Sequence, residues 1–297
     1  MKYINSYSGI NRQNALPNQN DWVNDLSSNS SGLELPNFKE HIQGVQLRRL
    51  SKVLKMSLAC AQFCKSEMTA DEMAGIIIAT GLGCLEDTRK FMVDVNAFDS
   101  PSPTPFIHST HNTIAGQLGL HMKCHGYNIT HANVGACLEN ALLDAYLQPD
   151  QGWYLVGAVD EKIDWLQILM DQAPNMKGVE IGEGSTFLAI SSTPSSIELE
   201  DVGAFYIPKQ QLTTTVVDFL GQNEIDLTDV DLVLNNGTAV DGAGEQLNYQ
   251  NYCGAYFTNS GFGIEFGIQK LKSGLKRVLV VNTIRENQIG LTLLKHV

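Results

Sequence analysis

The sequence predicts an α/β fold built from two similar halves. Short unbroken apolar segments rich in β-branched residues occur in both halves, and such segments are typical of strands buried on both faces. Between them, apolar residues recur every three or four positions, which indicates amphipathic helices. A buried strand followed by a glycine turn occurs at 76–81 and again at 232–237. Two copies of one βα plan, packed sheet against sheet, would hide both sets of apolar strands.

The first half is predicted to begin with a strand and a polar surface loop, and to alternate helices and strands after them. The amphipathic helix at 45–65 should pack on the sheet with its basic residues Arg48, Arg49, Lys52 and Lys55 outside. The other predicted elements are a strand at 2–10, a loop at 18–37, a strand at 75–80, helices at 108–121 and 137–147, and a strand at 153–159.

The second half repeats this arrangement on a shorter length of chain. Its predicted elements are a helix at 213–220, a strand at 230–234, a helix at 262–271 and a strand at 277–281. No stretch between about 150 and 230 is long or biased enough to be a linker. We therefore expect one unit over 1–297, with pseudo-halves at about 1–195 and 196–297.

Composition excludes several partners. The 297 residues carry 20 Lys+Arg and 32 Asp+Glu, a net charge of 20 − 32 = −12, which repels nucleic acid and anionic membranes. The longest apolar run, at 73–85, is too short to span a bilayer, and the N-terminus lacks the features of a signal peptide, so we expect a cytoplasmic protein.

The six cysteines lack a paired spacing. Cys60 and Cys64, which are four apart, are expected to be core thiols.

Five segments, in order and spacing, carry a family resemblance: 105–117, 139–145, 153–161, 182–185 and 236–238. Together they resemble the β-ketoacyl synthases, the thiolase-fold condensing enzymes of fatty acid and polyketide synthesis. The first looks like the segment ahead of that family's nucleophile, the second like the nucleophile helix, and the last like its His-Gly-Thr motif. The resemblance implies thiolase-like duplicated halves in a layered αβαβα architecture.

The resemblance also implies that the reactive side chains of the family are missing. Condensation needs a cysteine thiolate, two histidines and a lysine. In the register of the matching segments, Gly135 stands for the cysteine, Asn236 and Ala255 for the histidines, and Gln250 for the lysine. The loop at 282–288 lacks the glycines of active synthases. We therefore predict no catalytic residues for condensation, and the reading calls for no metal and no cofactor.

A narrower resemblance comes from 102–106, 109–113 and 159–161, which look like synthase-like proteins of aryl polyene and flexirubin-type pigment clusters. Some of those resemble chain-length factors. The resemblance implies a condensation-inactive subunit that pairs with an active β-ketoacyl synthase, helps shape the acyl tunnel, and meets acyl carrier protein only through its partner. Heterodimer and homodimer stay open. The candidate interface and pocket residues are Phe106, His108, His111, Asn112 and Thr238.

Two alternative functions remain. One is an acyltransferase or thioesterase that uses Cys137 or His111, although Cys137 lies two residues from Gly135 and would face about 200° away on a helix. The other is a homodimeric small-molecule-binding protein.

A hydrolase triad of Ser109, His111 and Asp160 or Glu161 lacks a nucleophile elbow. The histidines at 108–131 match no zinc motif, and His111 and Asn112 are instead expected to cap a helix. Gly182–Gly184 is expected to be a tight turn, as is the Asn235–Gly237 segment.

Overall fold

The computed structural model describes residues 1–16, 32–42, 45–68, 73–97, 102–172 and 179–297, and ten strands within these ranges form one sheet. The strands are β1 (Lys2–Ile10), β2 (Met73–Thr80), β3 (Tyr127–Ala132), β4 (Trp153–Asp160), β5 (Gly184–Ser191), β6 (Ile197–Phe205), β7 (Leu232–Asn235), β8 (Gln246–Asn248), β9 (Arg277–Asn282) and β10 (Ile289–His296).

Helices of very different length connect these strands in the described part of the chain. They are α1 (Phe38–His41), α2 (Lys52–Glu67), α3 (Leu85–Ala97), α4 (Pro103–His108), α5 (Thr113–Met122), α6 (Cys137–Leu147), α7 (Asp164–Gln172), α8 (Leu212–Gln222), α9 (Gln250–Cys253) and α10 (Ser260–Lys272). Three 3₁₀ helices lie at Val45–Arg49, Lys209–Gln211 and Leu227–Asp229.

The sheet consists of two half-sheets with the same internal plan. Its order is β3-β2-β4-β5-β1-β6-β10-β9-β7-β8. In the first half, β2 pairs in parallel with β3 and β4, while β5 and β1 are antiparallel additions. In the second half, β7 pairs in parallel with β8 and β9, and β10 and β6 are antiparallel. A short antiparallel contact between Lys2–Tyr3 of β1 and Glu198–Leu199 of β6 joins the halves.

A central helical layer separates the two half-sheets. Helix α6 contacts β2, β3 and β4 on one side and β6 and β10 on the other, and α10 likewise contacts strands of both halves. Helices α2 and α5 pack on the outer face of the first half-sheet, and α8 packs on that of the second. The layers therefore alternate as αβαβα, which confirms the predicted fold class. The two sheets face each other through helices, so the expectation of direct sheet-against-sheet packing is wrong.

The apolar strands were the most predictable elements. The strands predicted at 2–10, 75–80, 153–159 and 277–281 each coincide with an observed strand to within two residues at either end. The helices predicted at 137–147, 213–220 and 262–271 are also confirmed. The pseudo-half boundary at 195 remains a prediction; along the chain, β5 ends at Ser191 and β6 begins at Ile197. Most of the loop predicted at 18–37 lies outside the described residues.

The helix predicted at 45–65 is two elements. A 3₁₀ helix covers Val45–Arg49, and α2 begins only after Ser51, whose extended backbone (φ −66°, ψ 169°) interrupts the helix. Arg48 and Arg49 are exposed as expected. Lys52 is not simply solvated, because its ammonium pairs with the Glu183 carboxylate.

The helix predicted at 108–121 was also wrong at its start. Pro103 opens the separate helix α4, which ends at His108, and α5 begins only at Thr113. Proline favours the first turn of a helix because it lacks the N–H that would be unpaired there, so Pro103 begins a helix of its own.

None of the helices in the described ranges is long and apolar enough to cross a membrane. All six cysteines are free thiols, and Cys60 and Cys64 are fully buried in α2.

Gly9 is required where β1 passes α10. A Cβ built on Gly9 would lie 2.1 Å from both carboxylate oxygens of Glu265. We expect Gly9→Ala to lower the free energy of unfolding by about 2–3 kcal/mol in urea titrations, because such overpacking forces buried groups apart. The control is Gly221→Ala in α8, where a Cβ meets nothing within 4 Å and alanine is expected to be neutral or mildly stabilising. Equal effects of the two substitutions would contradict this packing.

Glu265 should make the protein less stable at high pH. The carboxyl is buried and accepts hydrogen bonds from Thr186 and Asn11, yet burial raises its pKa from 4.5 to about 8. The native state then holds the proton on Glu265 more tightly than the unfolded chain does. The resulting contribution to the free energy of unfolding is complete below pH 4.5 and is lost as the pH rises to about 8.

Urea unfolding at pH 5 and pH 8.5 tests this prediction. The wild-type protein should lose roughly 2–5 kcal/mol more over this interval than Glu265→Gln, whose side chain cannot ionise. Glu245→Gln, at an exposed position, should keep the wild-type pH dependence. An unchanged pH slope in Glu265→Gln would show that Glu265 titrates normally.

Candidate functional site

Asn236 lies in the turn after β7, where Gly237 has a φ of 116°. The Asn236 side chain is buried, and its Nδ2 donates to Oδ1 of Asn282 at 2.9 Å. Its Oδ1 accepts from the backbone N–H of Thr283 at 2.8 Å and from the Thr283 hydroxyl at 3.1 Å. The Thr283 hydroxyl also contacts the Thr238 hydroxyl at 3.0 Å. The predicted turn is confirmed, and Asn236 and Thr238 anchor it to the end of β9.

Further amides continue this network. Asn236 Nδ2 also approaches Oδ1 of Asn259 at 3.4 Å, and Asn259 Nδ2 donates to Gln250 Oε1 at 3.3 Å. We call Asn236, Gln250, Asn259 and Asn282 the amide cluster. It brings together two of the residues that the sequence singled out, Asn236 and Gln250. Amide side chains stay neutral and act only as hydrogen-bond donors and acceptors, so this cluster provides no acid or base.

The amide cluster reaches the central helical layer through a buried acid. Asn282 Nδ2 lies 3.1 and 3.2 Å from the two oxygens of Glu139, which is 1% exposed in the first turn of α6. Desolvation raises the pKa of Glu139, while hydrogen bonds from Ser260 and Asn282 oppose that shift. Sequence analysis missed both Glu139 and Asn282 as members of the site. A charged residue within the apolar helix was the signal that could have identified Glu139.

Ala255 lies next to this network rather than in it. Its side chain is 5% exposed, and its backbone forms a bridge with Ile181, with the Gly182 N–H donating to the Ala255 carbonyl at 3.0 Å. A Cβ on Gly182 would lie 2.1 Å from the Cys253 carbonyl oxygen. Gly184 begins β5, and Gly182 bonds to Ala255 beside the Ile181 bridge, so the tight turn expected at Gly182–Gly184 is wrong. These glycines allow close approach of an extended segment to the Cys253–Tyr256 stretch.

Gly135 lies in the loop between β3 and α6, and a side chain does not fit there. Its φ is 143°, a conformation that favours glycine. A Cβ on Gly135 would lie 1.6 Å from Oε1 of Gln288 and 3.1 Å from Cγ of Arg285. The space beside Gly135 is therefore filled by the loop between β9 and β10. Gln288 Oε1 is buried and has no hydrogen-bond partner among the described residues.

Cys137 has the environment of a packing thiol. It is the first residue of α6, fully buried, and its Sγ lies 3.6 Å from the Phe257 carbonyl oxygen. Desolvation, followed by the nearby Asp160 and Glu139 carboxylates, raises its pKa well above 9. A thiol is a nucleophile only as the thiolate, so this environment opposes reactivity.

The remaining candidates gather at one edge of the sheet. His111 lies in the turn between α4 and α5, and a Cβ on Gly83 would meet its ring at 2.9 Å. Asn112 is at the N-cap position of α5, but its side chain makes no cap hydrogen bond and instead accepts from Thr130 of β3 at 3.4 Å. The capping role expected for Asn112 is therefore wrong. Phe106 of α4 is 56% exposed and its ring lies 5.1 Å from that of Phe91.

The geometry does not assemble a hydrolase triad. The Ser109 hydroxyl donates to the Phe106 carbonyl at 2.8 Å. Asp160 is buried and accepts from the backbone and side chain of Thr258, from Thr80, and from the N–H groups of Gly81 and Leu82. These donors occupy Asp160 in joining the ends of β2 and β4 to the segment before α10. Among the described residues, no group of three or more His, Cys, Asp or Glu side chains is arranged to hold a metal ion.

Comparison with known proteins gives the class of this fold and site. Residues 19–164 match the family model of the beta-ketoacyl synthase N-terminal domain. No curated protein matches the sequence. The whole chain superposes on the ishigamide ketosynthase/chain length factor with a TM-score of 0.80 and 15% identity, covering 100% of this chain and 99% of that one. Residues 19–164 are therefore similar to the beta-ketoacyl synthase N-terminal domain, and the whole chain has the thiolase-type fold of the ketosynthase structures.

Two further solved structures have the same fold over the full length. One is a ketosynthase in complex with its chain length factor from Xenorhabdus doucetiae, with a TM-score of 0.74, 13% identity, and coverage of 100% of this chain and 98% of that chain. The other is a type II polyketide synthase acyl-carrier protein in complex with its ketosynthase, with a TM-score of 0.76, 11% identity, and coverage of 100% and 99%. At these identities the likeness establishes the fold, and the chemistry must be argued from the site.

Gly135 and Gln288 should be energetically coupled. Gly135→Ala is expected to lower the free energy of unfolding by about 2–4 kcal/mol, since it adds both a clash and backbone strain. Gln288→Ala alone should be close to neutral, because it removes a buried oxygen without a partner. In the double variant the clash disappears, and the Gly135→Ala cost should fall by at least ~1 kcal/mol. Additive effects in a double-mutant cycle of urea unfolding would contradict the contact.

Proposed function

We propose that this chain is a condensation-inactive, chain-length-factor-like subunit that pairs with an active β-ketoacyl synthase and helps shape the tunnel for the growing acyl chain. The observation that carries the proposal is the filled space at Gly135. In the register of the family, this is the position of the nucleophile, and here Gln288 lies where a nucleophilic side chain would have to project. The other vacated positions, Asn236, Gln250 and Ala255, carry no titratable group.

The amide cluster supports a structural role for the former reaction centre. Asn236 hydrogen-bonds to both Asn259 and Asn282, and Asn282 donates to Glu139, so these buried amides find their partners within the chain. Buried polar groups without partners are costly, and replacing histidine and lysine by amides keeps hydrogen bonds while removing charge. Such a core retains the shape of a synthase without its catalytic side chains.

An exposed edge supports pairing with a second subunit. Strand β3 is an edge of the sheet and most of its residues are exposed or half-buried. The turn at 109–112, which contacts Thr130 of β3, connects this edge to the paired helices α3 and α4. These two helices carry exposed apolar side chains, which we call the edge face: Met92, Val93, Val95, Phe106 and Ile107. An unpaired strand edge next to a cluster of exposed apolar residues is typical of an interaction surface.

We expect acyl carrier protein to dock on the synthase partner rather than on this chain. A net charge of −12 repels an acidic acyl carrier protein. The similar structures include ketosynthases in complex with a chain length factor and with an acyl-carrier protein, which supports a synthase as the partner. The resemblance at 102–106, 109–113 and 159–161 supports a role for the proposed complex in aryl polyene or related pigment synthesis.

The alternative functions make different demands on the same residues. An acyltransferase or thioesterase would need Cys137 or His111 as its reactive group, but Cys137 is buried and its thiol stays protonated. Intact-mass analysis after incubation with an acyl thioester tests this, since an adduct on Cys137 would favour that reading. A homodimeric small-molecule-binding protein would use the edge face for a second copy of itself.

Pairing should depend on the edge face. We expect the chain, co-expressed with an active β-ketoacyl synthase of the same organism, to elute from size exclusion as one complex. Phe106→Glu with Ile107→Glu should weaken this complex at least tenfold, about 1.4 kcal/mol, because two charges would have to be buried. Val217→Glu on α8 is the matched control, since Val217 is also half-exposed and apolar but lies on the other half of the molecule. Separate peaks at every salt concentration would refute the pairing.

A further inference from the structure

A cleft that the proposed function does not use lies at the carboxyl ends of two adjacent parallel strands. It has a volume of about 380 Å³ and is bounded by the N-terminal parts of α2, α3 and α7. Glu161 follows β4 directly, and Glu86 follows the turn after β2, the parallel neighbour of β4. Ligands of α/β proteins commonly bind at this end of the strands. We call it the α3–α7 cleft; its lining residues are Lys52, Glu86, Arg89, Glu161, Lys162, Ile163, Asp164 and Trp165.

Glu161 presents a buried acceptor without a donor. Its side chain is 3% exposed, and its Oε1 accepts the Glu86 backbone N–H at 3.0 Å. Its Oε2 is buried and has no hydrogen-bond partner among the described residues. Desolvation raises the pKa of Glu161 to about 7, although Lys52 opposes this. Leaving a buried carboxylate oxygen unpaired is costly, so a donor from outside would be favoured here.

Two of the three cations that line the cleft, Lys52 and Arg89, are already paired with other groups. Arg89 donates from Nε and Nη2 to the Glu86 carboxylate, both at 2.8 Å. Lys52 pairs with Glu183 and donates to the Lys162 carbonyl at 2.9 Å. These side chains therefore hold the walls of the cleft, and Glu161 Oε2 is the buried acceptor at its wall that lacks a partner among the described residues.

The charge balance of the cleft favours a cation. The charged groups around Glu161 are four cations, Lys52, Arg89, Lys90 and Lys162, and five carboxyls, namely Glu161 itself, Glu86, Asp87, Asp164 and Glu183. With all of them ionised, the sum is 4 − 5 = −1. One further positive charge would neutralise the cleft.

Trp165 indicates which kind of cation would bind in the cleft. It lines the cleft from the first turn of α7 and is 60% exposed, so much of its side chain is accessible for contact. Aromatic faces attract cations, and the planar guanidinium both stacks on an indole and donates several N–H groups to a carboxylate. We propose that the α3–α7 cleft binds a guanidinium group, with Glu161 as its carboxylate acceptor and Trp165 as its stacking surface.

Calorimetric titration of the full-length protein with N-acetyl-arginine amide tests the site. We expect saturable binding with a dissociation constant in the millimolar range at pH 8. The uncharged isostere N-acetyl-citrulline amide should bind at least tenfold more weakly. Glu161→Gln should also lose at least tenfold, while Glu245→Gln should bind as the wild type does. Trp165→Ala should weaken binding, and Trp165→Phe should weaken it less.

The pH dependence gives a second readout that a merely structural role would not produce. Because the guanidinium keeps its charge and Glu161 must ionise to bind it, affinity should rise roughly tenfold between pH 6 and pH 8 in the wild type. Glu161→Gln should show no such rise. Circular dichroism confirms that each variant is folded; removing the buried charge should not destabilise Glu161→Gln.

The source of the guanidinium is distinguished by comparing two probes. Agmatine represents a free small molecule, and the blocked tripeptide Gly-Arg-Gly represents an arginine side chain of another protein. Tighter binding of agmatine assigns the cleft to a metabolite, and tighter binding of the tripeptide assigns it to a protein partner; both outcomes support the site. No saturable binding of either probe up to 20 mM, equal binding of the citrulline analogue, or unchanged affinity in Glu161→Gln would overturn it.

Discussion

The fold depends on burying carboxyl groups where the two half-sheets meet the central helices. Asp160 is completely enclosed and accepts hydrogen bonds from residues after β2 and before α10. Glu265 of α10 reaches β5 and the residue after β1, and Glu139 of α6 reaches the end of β9. Each acid therefore ties a helix or strand of one layer to another layer. Removing such charges from water is expensive, so their donors must be held in place, and this constraint fixes the relative position of the layers.

The same constraint bears on the proposed loss of the reaction centre, because the buried polar groups of the fold must still find partners. The positions that the family resemblance assigns to histidine and lysine carry Asn236 and Gln250, and both take part in the amide cluster. An amide satisfies neighbouring donors and acceptors without adding a charge that burial would penalise. At Gly135, the volume of the absent side chain is taken by Gln288 from a different loop.

How much could be predicted from the sequence differed with the range of the interactions. The strand at 75–80 was clear because an unbroken apolar run can only be buried, and α6 was clear because its apolar residues follow helical spacing. The start of α5 was wrong because a turn at 109–112, held by contacts to α3 and β3, separates it from α4. Gln288 could not be assigned to Gly135 from the sequence, since the two are brought together only by tertiary packing. The departure of 282–288 from the synthase pattern was the available signal, and the structure gives it a physical meaning.

The two outer strands of the sheet differ greatly in length. Strand β3 offers six residues to a neighbour, whereas β8 at the opposite end offers three. A chain with two long open edges can add copies at both ends and grow into a fibre, but one with a single usable edge cannot propagate. In the pairing proposed above, association through β3 would occupy the longer free edge of each molecule, so the assembly would close as a pair.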